Sequence, residues 1–132
     1  MTISYITTDL EFDSETNLSP IVDELGTDVI VHLNDWVDNR YRVALGLFHT
    51  DTTMDEAVCF YCSLVEKLSV ASMSLWSGCT RRVLDIAFES GAEPESATYQ
   101  LPASLVRRLS ALGIGIAITI YRVGAYSDHR SE

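Results

Sequence analysis

The sequence predicts a single α+β domain: one largely antiparallel sheet of about five strands, with two to three helices packed on one face, in the order β-α-β-β-α-β-α-β. Three observations carry this expectation. Apolar residues alternate with polar or small ones near both ends of the chain, at Ile3 to Phe12 and at Ile114 to Ile120, which is the period of a strand. After Thr53 and again after Pro102 the apolar positions recur at steps of three and four, which is the period of a helix. No glycine-rich phosphate fingerprint joins a strand to a helix, so a doubly wound parallel sheet is not indicated.

In the first strand Ile6, Thr8, Leu10 and Phe12 are expected on one side and Thr7, Asp9, Glu11 and Asp13 on the other. Asn17-Leu18-Ser19-Pro20 reads as a helix start, with the serine capping free amides and the proline at a position that has no amide to lose; Gly26 ends the helix. Val29, Val31, Leu33 and Val37 form a second strand region interrupted at Asn34-Asp35, and Tyr41 to Phe48 forms a third. Between them Asp35 to Arg40, with Asp38-Asn39 at the tip, predicts a hairpin. Thr53 and Glu56 have the spacing of a capping box, followed by Ala57, Val58, Tyr61, Val65 and Leu68 on one helical face. A linker containing Trp76 and Gly78 leads to a strand at Arg82 to Glu89, and Ser90 to Ser96 reads as a polar loop. Pro102 opens a helix carrying Leu105, Leu109 and Leu112, Gly113 closes it, and the last strand is expected to turn Ile114, Ile116, Ile118 and Ile120 to the core.

With 132 residues, 47% of them hydrophobic and 21% charged, the chain has the size and composition of one ordered domain. We assign residues 1–123 to that domain and 124–132 to a flexible tail. No apolar run approaches a membrane span, the start lacks the pattern of a secretion signal, and three cysteines do not close a disulfide framework. A cytoplasmic protein with no membrane partner is expected.

The formal net charge of −10 argues against nucleic acid as a partner, because affinity for phosphate comes from lysine and arginine. Residues 1–66 hold 13 acidic and 2 basic side chains, and residues 67–132 hold 6 and 7, so one half at −11 carries the imbalance against +1 in the other. Asp9, Glu11 and Asp13 on alternate residues predict an acidic row, extended by Asp35 and Asp38 of the hairpin, that would steer a basic protein. Trp36 and Tyr41 are the aromatic anchors expected beside it. These seven residues form the predicted partner-binding set.

Catalytic residues, metal ligands and cofactors are predicted to be none. Cys59 and Cys62 have redox-motif spacing, but they lie six and nine residues past the Thr53 cap, far from the helix start that lowers a thiol pKa. A zinc site would need Cys79 and one of His32, His49 or His129, with no second ligand pair at the right spacing. There is no nucleophile elbow, and the histidines are scattered. Asp23, Glu24, Asp55 and Glu56 suit early helical turns. Asp85, within an apolar strand, is expected on a solvated face or paired with Arg82 or Arg122. The alternative function is a small-ligand or metal-binding domain using the cysteines or the Trp76-Ser77-Gly78 loop. Self-association through the small, flat Gly115-Ala117-Thr119 face would make a homodimer.

Several segments together resemble a known family: Asp9-Leu10-Glu11-Phe12-Asp13, Glu24-Leu25-Gly26, Leu75-Trp76, Arg82-Val83-Leu84-Asp85-Ile86-Ala87-Phe88, and above all Leu101-Pro102 through Leu105, Leu109, Leu112-Gly113-Ile114 to Ile120-Tyr121. They resemble a family of small bacterial proteins catalogued as a domain of unknown function, some of whose members look like immunity proteins that neutralise a secreted toxin. The resemblance implies a single α+β domain, no established catalytic set, and a protein partner such as a secreted toxin. Thr119 and Thr27-Asp28 stand where that family often has an aspartate and a Pro-Thr turn.

Overall fold

A computed structural model describes residues 3–49, 51–91 and 96–122. Five strands, β1 (Ser4–Ser14), β2 (Ile30–Val37), β3 (Arg40–Gly46), β4 (Arg81–Glu89) and β5 (Gly115–Tyr121), form one open sheet in the order β2-β3-β1-β4-β5. Four α-helices, α1 (Ser19–Leu25), α2 (Met54–Glu66), α3 (Val70–Ser77) and α4 (Ala103–Ala111), accompany it, with a 3-10 turn at Gly26–Asp28. The β1–β3, β1–β4 and β2–β3 pairs are antiparallel. Only β4 and β5 run parallel, because α4 crosses over between them and returns the chain to the same end. The predicted α+β class is thus the observed one. The strand order also sorts the sequence: residues 1–66 supply β2, β3 and β1, and the later half supplies β4 and β5.

The strand residues buried with the helices share one face: Leu10 and Phe12 of β1, Val43 and Leu45 of β3, and Leu84 of β4 meet Ile21, Val58, Tyr61, Val65, Trp76 and Leu109 in one cluster. Ile86 and Phe88 continue that face against Met54 of α2. Tyr61 is fully enclosed, and its hydroxyl donates to the Thr8 carbonyl at 2.9 Å, fastening α2 to the central strand. No described helix covers the opposite face.

Local chemistry explains most element ends. Thr53 accepts from the Glu56 amide at 3.2 Å while the Glu56 carboxylate accepts from the Thr53 amide at 3.0 Å, so the predicted capping box forms. Asp38 and Asn39 both have positive φ, 52° and 68°, as a two-residue hairpin turn matched to strand twist requires. At α1 the expectation needs correction. Ser19 is the first helical residue rather than its cap, Leu18 holds the cap position without a side-chain bond, and Asn17 Oδ1 accepts from the Ser19 amide at 2.8 Å. Asp23 and Glu24 lie beyond the first turn of this short helix, so the macrodipole does not account for them.

Three further expectations change. The linker around Trp76 is largely helix α3, capped by Ser69, whose hydroxyl accepts from the Ser72 amide at 3.2 Å. β2 is not interrupted at Asn34-Asp35; its irregularity is a bulge at His32, between the Val31 and Leu33 pairings. The isoleucines of β5 do not enter the core, apart from Ile114 just before it: Ile116, Ile118 and Ile120 are 45%, 63% and 65% exposed. They share the helix-side face of their β4 partners Leu84, Ile86 and Phe88, but β5 is an edge strand lying past the helices that bury those partners. The tail expected from Gly124, His129 and part of the Ser90 to Ser96 loop lie outside the described residues.

Candidate protein-binding surface

The predicted acidic row lies on the uncovered face, as alternation along β1 requires, but arginines interleave with it. Reading across the sheet, Asp35 pairs in register with Arg42, Arg42 with Asp13, and Asp13 with Arg81. The Glu11 carboxylate meets Arg81 at 3.2 Å, and Asp13, itself buried, meets Arg42 at 3.9 Å. Asp9 stands opposite Asp85, whose carboxylate accepts from the Thr119 hydroxyl at 2.7 Å. Asp85 is therefore held by its β5 neighbour. Arg82, one of its expected partners, points to the helix side, where it donates to the carbonyls of Trp76 at 2.9 Å, Cys79 at 3.0 Å and Gly113 at 3.0 Å. The His32 imidazole lies over Gly46, where a Cβ would collide with it.

At the hairpin the two predicted aromatic residues meet edge to face, with ring centroids 5.3 Å apart. They have different roles. Trp36 is 48% exposed, whereas Tyr41 is buried and donates its hydroxyl to Asn34 Oδ1 at 2.7 Å. Burial raises the Tyr41 pKa above the usual phenol range, with the Asp35 charge adding to the effect. Tyr41 thus supports Trp36 and offers no free surface of its own. Asp35 and Asp38 are exposed beside it.

A second acidic feature comes from residues that sequence reasoning did not bring together. A cleft of about 570 Å³ opens between the 3-10 turn, the connection after β3 and helix α2. Asp28, Asp51 and Glu56 supply carboxylates, Phe48 and Phe60 supply rings, and His49 lies at the same wall. No lysine or arginine is among its described lining residues. Asp28, Asp51 and Glu56 are exposed, and Phe48 is 56% exposed, so the cleft offers negative charge and aromatic surface together. The Thr53 amide foremost, followed by the Thr53 hydroxyl, lowers the Glu56 carboxyl pKa and favours its charged form. Asp28 and Glu56 lie on different elements, so no local spacing reveals the cleft; the available signal was Phe48 followed by His49 and Asp51, an apolar ring running into a polar connection.

The cysteines occupy separate environments. α2 directs Cys59 to solvent and Cys62 into the core, while Cys79 is buried after α3. Burial raises the pKa of the Cys62 thiol and pushes that of Cys79 up to about 11, away from the range of reactive thiolates. Cys59 Sγ accepts a contact from Arg108 at 3.3 Å, and the same guanidinium grips Glu66 through two bonds of 2.9 and 2.7 Å, tying α4 to α2. Among the described residues no group of three or more histidine, cysteine, aspartate or glutamate side chains is placed to hold a metal ion. Among them, too, no single helix is long and apolar enough to cross a membrane. No family model matches the sequence, and no curated protein or solved structure matches it either.

Proposed function

We propose that this chain is a non-catalytic protein-binding domain of the immunity type, which occludes a basic protein such as a toxin through acidic surface on its amino-terminal half. One observation carries the reading: a cleft rimmed by Asp28, Asp51 and Glu56, walled by Phe48 and Phe60, with no basic side chain among its described lining residues. A lysine or arginine from a partner would meet carboxylates at the rim and ring faces inside, the combination that favours a cation leaving water. Trp36, with Asp35 and Asp38 beside it, gives an exposed aromatic anchor at the hairpin. The interleaving of Glu11 and Asp13 with Arg81 and Arg42 shifts the expected contact from the β1 row to the cleft and the hairpin.

The test is affinity capture from the source organism at low salt, followed by calorimetry of the purified partner against wild type and Asp28→Asn/Asp51→Asn. The expected result is a basic partner bound at least tenfold more weakly by the double variant, with affinity falling as salt rises. A partner whose affinity ignores both salt and the double variant would overturn the reading. The size of the cleft also suits a small organic cation. Calorimetry with free arginine and a quaternary ammonium separates the two readings, since a micromolar response there would favour a small ligand over a protein.

A further inference from the structure

At the β5 edge the outward backbone groups of three residues coincide with an apolar side-chain row. Among the described residues no strand lies beyond β5. Tyr121 gives its carbonyl to the Ser90 amide at 2.7 Å, on the β4 side, so alternation turns the N–H and C=O groups of Ile116, Ile118 and Ile120 outward. The residues with outward backbone groups are therefore the three isoleucines that protrude past the helices. The strand Gly115–Tyr121 contains no charge and no proline, the usual protections of an edge. At the other edge β2 has a bulge at His32 and an exposed aspartate at Asp35.

We infer that β5 pairs antiparallel with β5 of a second copy of this chain, joining two five-stranded sheets into one across a two-fold axis at Ile118. Symmetry selects the register. Pairing Ile118 with its own copy and Ile116 with Ile120 of the second copy places outward-facing residues opposite one another throughout. Each such pair exchanges both backbone bonds, about six in all. The same register lays the two isoleucine rows side by side on the helix face, where each shields the other from water.

Charge favours a second copy over the basic partner proposed above. The acidic surplus of −11 resides in residues 1–66, which build β2, β3 and β1, and β5 belongs to the half with +1. Four strand spacings of about 4.8 Å separate β5 from β2, so copies joined at β5 keep their acidic outer edges roughly 40 Å apart, beyond several screening lengths. A basic strand would find no charge on Gly115–Tyr121 to recognise.

Sedimentation of the full chain under reducing conditions tests this. Wild type is expected at twice the mass of one chain at tens of micromolar, in low and high salt alike, with Ile118→Pro and Ile118→Lys at half that mass and with unchanged far-ultraviolet circular dichroism. Ile118→Pro removes an outward amide and no bond to β4. A wild type that stays monomeric at a few hundred micromolar overturns the inference, as does a dimer that folded Ile118 variants leave intact. Should those variants unfold, the register decides instead. In this pairing Ala117 faces Thr119 of the second copy at a non-hydrogen-bonded position, so in a Cys59→Ser background, which removes the exposed native thiol, Ala117→Cys/Thr119→Cys is expected to cross-link on oxidation while Ala117→Cys alone is not. Cross-linking by the single variant, or none by the double, would contradict the pairing. Because the dimer is expected to ignore salt and the basic partner to depend on it, the two proposals fail separately.

Discussion

Along β1, Thr8, Leu10 and Phe12 are fully enclosed beneath the helices, whereas Glu11 and Asp13, each one residue from an enclosed neighbour, meet arginines on the uncovered face. The two faces of the sheet therefore hold different kinds of interaction. On the covered face the interactions are close packing and hydrogen bonds shielded from water. On the other face lie the Glu11–Arg81 pair, reached by solvent and weakened by salt, the pair of Arg42 with the buried Asp13, and the Thr119–Asp85 hydrogen bond. Substitutions one position apart should thus differ several-fold in cost, and the contrast can be tested from its strong end to its weak one.

The strong end is Trp76. It is 2% exposed, packs edge to face on Phe12 at 5.0 Å and donates its indole N–H to the Leu112 carbonyl at 3.0 Å. Trp76→Ala is expected to cost about 3–5 kcal/mol, the range for emptying an aromatic site in a core. Trp36→Ala, at the exposed hairpin, should cost no more than about 1 kcal/mol. Urea denaturation of both variants checks the pair. Equal losses would mean that Trp36 is as much a part of the core as Trp76.

Arg82 is intermediate, because its guanidinium serves the covered side although its residue belongs to a strand. Its bonds to the Trp76, Cys79 and Gly113 carbonyls satisfy acceptors at the end of α3 and before β5, and the charge lies 5.9 Å from the Trp76 ring. Arg82→Met should cost about 2–3 kcal/mol through the acceptors it leaves unpaired. The loss should not add to that of Trp76→Ala, since the guanidinium lies over the Trp76 ring and bonds the Trp76 carbonyl. An additive double variant would show that Arg82 acts independently of the tryptophan.

How much of this was legible in the sequence depended on whether the deciding partner was close in the chain. The Thr53/Glu56 box and the Asp38-Asn39 turn are each closed by residues within three positions, and both formed as expected. α3 was missed because its stretch lacks helical periodicity; Val70 is 91% exposed. It is also anchored from outside, by Glu24 of α1, which accepts from the Ser69 amide and hydroxyl at 2.7 Å each and from the Ser72 hydroxyl at 2.8 Å. Those bonds, the Ser69 hydroxyl foremost, lower the Glu24 pKa. Alternation in β5 identified which residues share a face, but not that the helices stop short of it. The acidic row was placed on the right face, but Arg42 and Arg81 beside it could be found only once the strand order was known. The cleft was hidden for the same reason, since Asp28, Asp51 and Glu56 converge from separate segments.

The weak end of the contrast is the Glu11–Arg81 pair. Both side chains are about one-third to one-half exposed, at 32% and 45%, and their contact is 3.2 Å. A double-mutant cycle with Glu11→Gln and Arg81→Gln is expected to give a coupling of about 0–1 kcal/mol, falling toward zero as salt rises from low to several hundred millimolar. The sign matters more than the size. A favourable coupling that salt removes means that Arg81 already occupies Glu11, so an incoming basic partner would have to displace it. The cleft at Asp28, Asp51 and Glu56 imposes no such displacement by a described lining residue. A coupling of 2 kcal/mol or more, indifferent to salt, would instead put this ion pair in the same energetic class as the bonds of Arg82.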